Sequence, residues 1–117
     1  MDLITEDQKQ KLLANGWASM KAMQEQGSPP DHMPVVKLFC PWGVGTWLIT
    51  EMLPDQPGLL FGLADLGTPE LGYISLDELS SIEGPGGLKI EQDQSFTPTM
   101  TLSAYADAAR AAGRIIA

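Results

Sequence analysis

The stretch from Val35 to Ile74 constrains this chain more than any other. Four apolar, β-rich runs lie there: Val35–Cys40, Thr46–Leu53, Leu59–Leu66 and Leu71–Ile74. They are separated by Pro41-Trp42-Gly43-Val44-Gly45, Pro54-Asp55-Gln56-Pro57-Gly58 and Gly67-Thr68-Pro69-Glu70, connections of four or five residues. A parallel pair needs a crossover of a dozen residues or more, so consecutive strands must be antiparallel neighbours. The four therefore make a meander. Lys37, Thr50, Glu51 and Asp65 interrupt runs that are otherwise apolar, which predicts that parts of both sheet faces are covered.

Helices are expected at both ends. Thr5 stands three residues before Gln8, the spacing of a capping box, and Glu6 and Asp7 complement the helix dipole. Leu12 and Leu13 supply an apolar stripe, and Asn15-Gly16 predicts a C-terminal stop. Trp17, Met20 and Met23 then fit a second short helix, or a kinked continuation, to about Gln26, before Gly27-Ser28-Pro29-Pro30-Asp31 breaks it. After the meander, Ser75 and Glu78 repeat the cap spacing and predict a short helix through Ile82, ended by Gly84-Pro85-Gly86-Gly87. Leu88–Glu91 reads as a fifth strand. A last helix is expected from Thr101, with Met100 and Tyr105 placed as a hydrophobic staple. Six alanines between Ala104 and Ala112 give it a slim surface that can approach a sheet closely. The expected fold is α+β: one domain over 1–117, an antiparallel four- to five-stranded meander flanked by N-terminal and C-terminal helices.

Charge excludes several functions. Fifteen acidic residues face seven basic ones, for a formal net charge of -8. Glu51, Asp55, Asp65, Glu70, Asp77, Glu78, Glu83, Glu91 and Asp93 stand against Lys89 alone, so the window 51–93 carries the whole excess. Nucleic-acid phosphates and anionic lipids demand Lys and Arg, so neither direct nucleic-acid binding nor membrane binding is expected. Trp42, Trp47, Phe61 and Tyr73 fall in a stretch without a basic residue, which also argues against base stacking. The window is either a solvated surface or a negative face that docks on a basic partner. Trp42, Asp55, Glu70, Asp77, Glu78 and Glu83 are the candidate partner-binding residues. Trp42 sits at a turn tip, where an aromatic can anchor an interface. The acids sit in turns or a short helix.

Chemistry is thinly provided for. His32 is the one histidine and Cys40 the one cysteine. A catalytic role for either would need a nucleophile–base–orienter set that the sequence does not announce. His32 reads as a locally bonded loop residue and Cys40 as a small buried hydrophobe. Asp65 alternates with Leu59, Phe61 and Leu63, so partial burial is expected, with its carboxylate bonding the backbone of the following turn. Two Cys or His residues cannot build a zinc site, and no Asp-x-Asp-x-Asp-Gly loop occurs, so no metal or other cofactor is expected. The glycine-rich segments lie between strands or after a helix and read as turns, not phosphate cradles. The opening Met1-Asp2-Leu3-Ile4-Thr5-Glu6 lacks a basic segment followed by an apolar run, and a single cysteine permits no internal disulfide. A reducing, cytoplasmic setting is expected.

The runs Pro34–Phe39, Thr46–Glu51, Phe61–Gly67 and Pro69–Leu79, with the opening Leu12-Leu13-Ala14-Asn15-Gly16, resemble a family of small bacterial proteins of unknown function. That family is carried widely on plasmids and integrative elements. The resemblance covers nearly the whole chain and brings no catalytic residues with it. This chain departs in a shorter Gly67-to-Glu70 turn and in Gln92, where a basic residue is common. What the resemblance implies is a mobile-element setting, in which accessory proteins block host restriction and CRISPR systems. The expected function is a non-enzymatic, acidic, protein-binding accessory factor, of anti-CRISPR or anti-restriction type, occupying a basic surface of a defence nuclease complex. The alternatives are a small metal-independent hydrolase or nucleotide-modifying enzyme using Asp65, His32 or Cys40, and a self-associating structural module.

Overall fold

A computed structural model describes residues 3–117 of the chain. Met1 and Asp2, which open the segment read above as lacking a signal, lie outside the described residues. The order is α1 (Glu6–Gln24), β1 (Val36–Phe39), β2 (Thr46–Leu53), β3 (Gln56–Asp65), β4 (Pro69–Ser75), α2 (Leu76–Ser81), a 3-10 turn (Pro85–Gly87), β5 (Glu91–Gln92) and α3 (Leu102–Ala112). The fold is α+β, with one antiparallel sheet and a helix near each end.

α1 begins as its sequence dictates. The Gln8 backbone N–H donates to Thr5 Oγ1 at 3.2 Å, and the Thr5 N–H donates to Gln8 Oε1 at 2.9 Å. The expected stop at Asn15-Gly16 is absent, and the helix runs unbroken for 19 residues. Gly16 serves a different end. A Cβ built there would lie 2.1 Å from the Met52 carbonyl oxygen, so the glycine lets the helix backbone rest directly on β2. The helix stops instead where Gln26 adopts a φ of 59°, in the left-handed region.

The sheet order is β4-β3-β2-β1-β5. The first four strands form the expected meander, with two changes. β3 starts at Gln56, paired with Leu53 across Pro54-Asp55, so the turn is shorter than the sequence indicates. Pro57 and Gly58 fall where the β2–β3 register shifts, a place in which a sheet tolerates proline. The fifth strand is Glu91–Gln92, not Leu88–Glu91, and it pairs with β1 at the far edge. Leu88 and Lys89 are taken by a local closure: the Gly84 N–H donates to the Leu88 carbonyl at 2.7 Å, and Glu83 bridges Lys89. Only two residues remain for the ladder.

Alternation sends the strand side chains into two cores. On one face Val36, Leu38, Trp47, Ile49, Leu60 and Ile74 pack with Leu12 of α1 and Leu79 of α2. On the other, Leu48 and Leu63 are covered by Leu102, Tyr105, Ala106 and Ala109 of α3, joined by Met100. The alanines permit the close approach, since Ala106 and Ala109 retain no exposed surface. Both faces are covered, as the polar interruptions predict.

The cap of α3 comes from elsewhere. Thr101 is the N-cap residue, but its side chain caps nothing. Asp31, from the loop after α1, accepts from the Ser103 backbone N–H at 3.1 Å and from the Ser103 hydroxyl. The Ser103 hydroxyl is the main reason the Asp31 carboxyl titrates below its ordinary value of 3.8. A depressed folded-state pKa makes the cap fully stabilising above about pH 4, and the contribution is lost as pH falls through the folded value. Acid titration of the melting temperature should therefore fall less steeply below pH 4 in Asp31→Asn than in the parent. Equal slopes would remove Asp31 from the acid response.

Candidate functional site

The nine acids of the 51–93 window have different fates. Asp65 is buried at the end of β3, accepting from the Gly67 N–H and the Ile115 N–H, each at 2.9 Å. It closes its own turn, as expected, and also pins the segment after α3. Glu51 accepts from the Ser19 hydroxyl at 2.8 Å. Asp93 pairs with Lys37 at 3.4 Å and Glu83 with Lys89 at 3.6 Å. Asp55, Glu70, Asp77, Glu78 and Glu91 remain exposed and, among the described residues, outside any ion pair. They do not form one patch. Asp55 adjoins Gln56 at the start of β3, whereas Glu70 lies opposite Ala64. The eight steps from Gln56 to Ala64 span roughly 26 Å at the strand rise.

A groove of about 460 Å³ gathers part of the predicted set. It lies between α2 and the strand ends, lined by Cys40, Trp42, Trp47, Ala64, Leu66, Ile74, Glu78, Leu79 and Ile82 among others, and by no Lys or Arg. Trp42 is half-buried in the β1–β2 turn, which the Cys40 N–H closes on the Gly45 carbonyl at 2.9 Å. Its indole lies flat on Gly84: a Cβ there would sit 2.5 Å from two ring atoms, so only glycine fits. Glu78 is set by the start of α2, where its N–H donates to Ser75 Oγ at 3.2 Å, as the spacing predicts. Asp77 is its neighbour in that first turn. Glu70 lines an adjoining recess that shares Ala64 and Leu66 with the groove. Trp42, Glu70 and Glu78 are thus grouped; Asp77 stands beside Glu78 on α2 but does not line the groove, Asp55 is elsewhere, and Glu83 is tied to Lys89.

Three groove residues were not singled out from the sequence. Val44 is 72% exposed, Leu66 69% and Tyr73 66%, large apolar side chains left in water around the groove. Their signal was positional: Val44 sits between two turn glycines and Leu66 directly before Gly67. An apolar side chain placed in a turn is hard to bury.

The residues of the enzyme alternative are not brought together. Asp65 is engaged with backbone N–H groups, Cys40 lines the groove, and His32 lies against α1. His32 is half-buried, more tightly held than a loop histidine was expected to be. One ring nitrogen, Nε2, faces Asn15 O at 3.2 Å, Ser19 Oγ at 3.4 Å and Glu51 Oε2 at 3.8 Å. Nucleophile activation needs the imidazole between hydroxyl and carboxylate, one nitrogen toward each. Here the Ser19 hydroxyl donates directly to Glu51, so the cluster fastens α1 to β2 and the following loop. Among the described residues no group of three or more His, Cys, Asp or Glu side chains is placed to share a metal ion. None of the described helices is long and apolar enough to cross a membrane.

No curated protein and no solved structure matches this chain. A protein family described as a protein of unknown function (DUF2958) matches residues 3–116, nearly the full length, and the chain belongs to that family.

Proposed function

We propose that this protein is a non-enzymatic binding factor that docks the groove beneath α2, with its acidic border, on a basic protein surface. The observation that carries this reading is the pairing of exposed apolar side chains with unpaired carboxylates. Val44, Leu66 and Tyr73 stand in water around the half-buried Trp42, and Glu78 in the groove and Glu70 in the adjoining recess flank them with no Lys or Arg lining either. An apolar centre bordered by polar and charged groups is the usual anatomy of an interface. The carboxylates would steer a basic partner and the apolar centre would hold it. The mobile-element setting of the resembling family favours a defence nuclease complex as that partner. The protein would then act as an anti-CRISPR or anti-restriction inhibitor in the cytoplasm, covering a groove meant for nucleic acid.

The test is recovery of host proteins on the immobilised chain, followed by binding kinetics with the protein retained. Glu70→Lys with Glu78→Lys moves the net charge from -8 to -4, since each reversal adds two. It should slow association about tenfold at low salt and much less at 0.5 M salt, where steering is already screened. Leu66→Asp should instead speed dissociation. Asp55→Lys, away from the groove, should leave both rates near the parent's. If Asp55→Lys slows association as much as the groove pair, the effect is one of total charge and this docking face is wrong.

A further inference from the structure

A second recess, of about 500 Å³, lies between the C-terminal half of α1 and the β2–β3 hairpin, and shares only Tyr73 with the groove beneath α2. Its walls are apolar: Met20 and Met23 of α1, Pro29 and Pro30 of the loop, and the Phe61–Tyr73 pair, whose rings meet edge to face at 5.4 Å. Its charged lining groups are Glu51 and Asp55, with no Lys or Arg among them. Glu51 is aimed there by the sheet. Ile49 pairs with Gly62 and Glu51 with Phe61, so Thr50 is an extra residue in β2 and the bulge turns the following side chain. The Glu51 side chain is only 14% exposed. One of its oxygens, Oε2, accepts from Ser19, while Oε1 accepts no hydrogen bond from the described residues. Oε2 also lies 3.8 Å from His32 Nε2, and Oε1, without a partner among the described residues, keeps access to water, so the carboxylate has an acceptor to spare beside aromatic and thioether walls.

We propose that this recess binds an organic cation carried on an apolar body, an ammonium or guanidinium group on an aryl or alkyl stem. The cationic N–H groups donate to Glu51 Oε1, forming a charge-assisted hydrogen bond, stronger than one between neutral groups. The aromatic rings of Phe61 and Tyr73 line the same recess, and aromatic rings attract cations. The stem lies against Met20 and Met23, whose flexible side chains adapt to its shape. Anions are repelled by Glu51 and Asp55, and a neutral apolar molecule leaves Oε1 unpaired. The shared chemistry could arrive as a free amine or as a basic side chain of a peptide. The two readings share Tyr73 but are tested apart, because Glu70, Glu78 and Leu66, which test docking, are not part of this recess.

Nuclear magnetic resonance titration of the full chain tests it, with three probes: phenethylammonium, its neutral isostere 2-phenylethanol, and N-acetyl-arginine methylamide. Phenethylammonium should shift the Met20 and Met23 methyl signals and bind about tenfold more tightly than the alcohol. Glu51→Gln keeps an oxygen for Ser19, and its spectrum shows whether it is folded; it should erase the preference. Tighter binding of the arginine probe assigns the site to a peptide side chain, and tighter binding of phenethylammonium assigns it to a free amine. Equal affinity for the amine and the alcohol in the parent protein overturns the proposal. So does the absence of any shift at about 10 mM, a weaker limit than such a site should show, or a preference that survives Glu51→Gln in a folded protein.

Discussion

Replacing Gly16 by alanine is expected to destabilise the protein by about 3 kcal/mol, at the upper end of what an added methyl does to a packed interior. The same change in an exposed helix would stabilise by about 1 kcal/mol, because glycine is the poorer helix former. The sign reverses because the new Cβ would meet the Met52 carbonyl oxygen at 2.1 Å and the Pro54 ring at 3.1 Å. Met52 is a strand residue paired with Leu60 of β3, so α1 must lift from β2, and the contacts that Leu12 makes in the first core are strained with it. Urea unfolding of Gly16→Ala beside Ala18→Gly makes the comparison internal. Ala18 is exposed on the same helix, and its replacement should lose only about 1 kcal/mol. A Gly16→Ala midpoint at or above the parent's would mean that α1 is not seated on β2 at this point.

Leu48→Ala is expected to lose about 4 kcal/mol, in the upper part of the range for a buried leucine. Leu48 has no exposed surface and lies opposite Leu63 in the ladder, under Ala106 and Ala109 of α3. The size of the loss follows from its neighbours. A cavity is expensive when the surroundings cannot collapse into it, and alanine methyls have no rotamers with which to fill a gap. Hydrogen exchange in α3 should rise more than in α1, since the two helices cover different faces of the sheet. Leu71→Ala, at a 40% exposed position on β4, should lose less than about 1 kcal/mol. Equal losses at Leu48 and Leu71 would refute the second core. The double variant Leu48→Ala with Leu63→Ala should lose less than the sum of the two single changes, because adjoining cavities merge.

What could be read along the chain was whatever depends on neighbours in sequence. The Thr5–Gln8 capping box, the Ser75 cap of α2, the span of β2 and the antiparallel order of β1 to β4 all follow from spacing, turn length and alternation, which act over a few residues. The Asp65 contact to Gly67 belongs with them. The positions of Trp42 in the β1–β2 turn and of Glu78 at the cap of α2 follow for the same reason.

The rest was decided by contacts between distant segments. Gly16 carries the signature of a helix stop and instead marks a close approach to Met52; only the packed sheet distinguishes the two. Thr101 has the right chemistry to cap α3, but Asp31 reaches the site from the loop after α1 and satisfies the same N–H group. β5 pairs with β1 rather than extending the meander, because α2 and the Gly84–Leu88 closure carry the chain back across the sheet. The run of acids from 51 to 93 looked like one charged surface, and folding spread it between buried staples, ion pairs and both ends of β3. Local sequence fixes backbone conformation through steric and hydrogen-bond effects within a few residues. Which polar groups are left free, and which glycines are contacts, depends on what the rest of the chain brings against them, and that is a property of the packed structure alone.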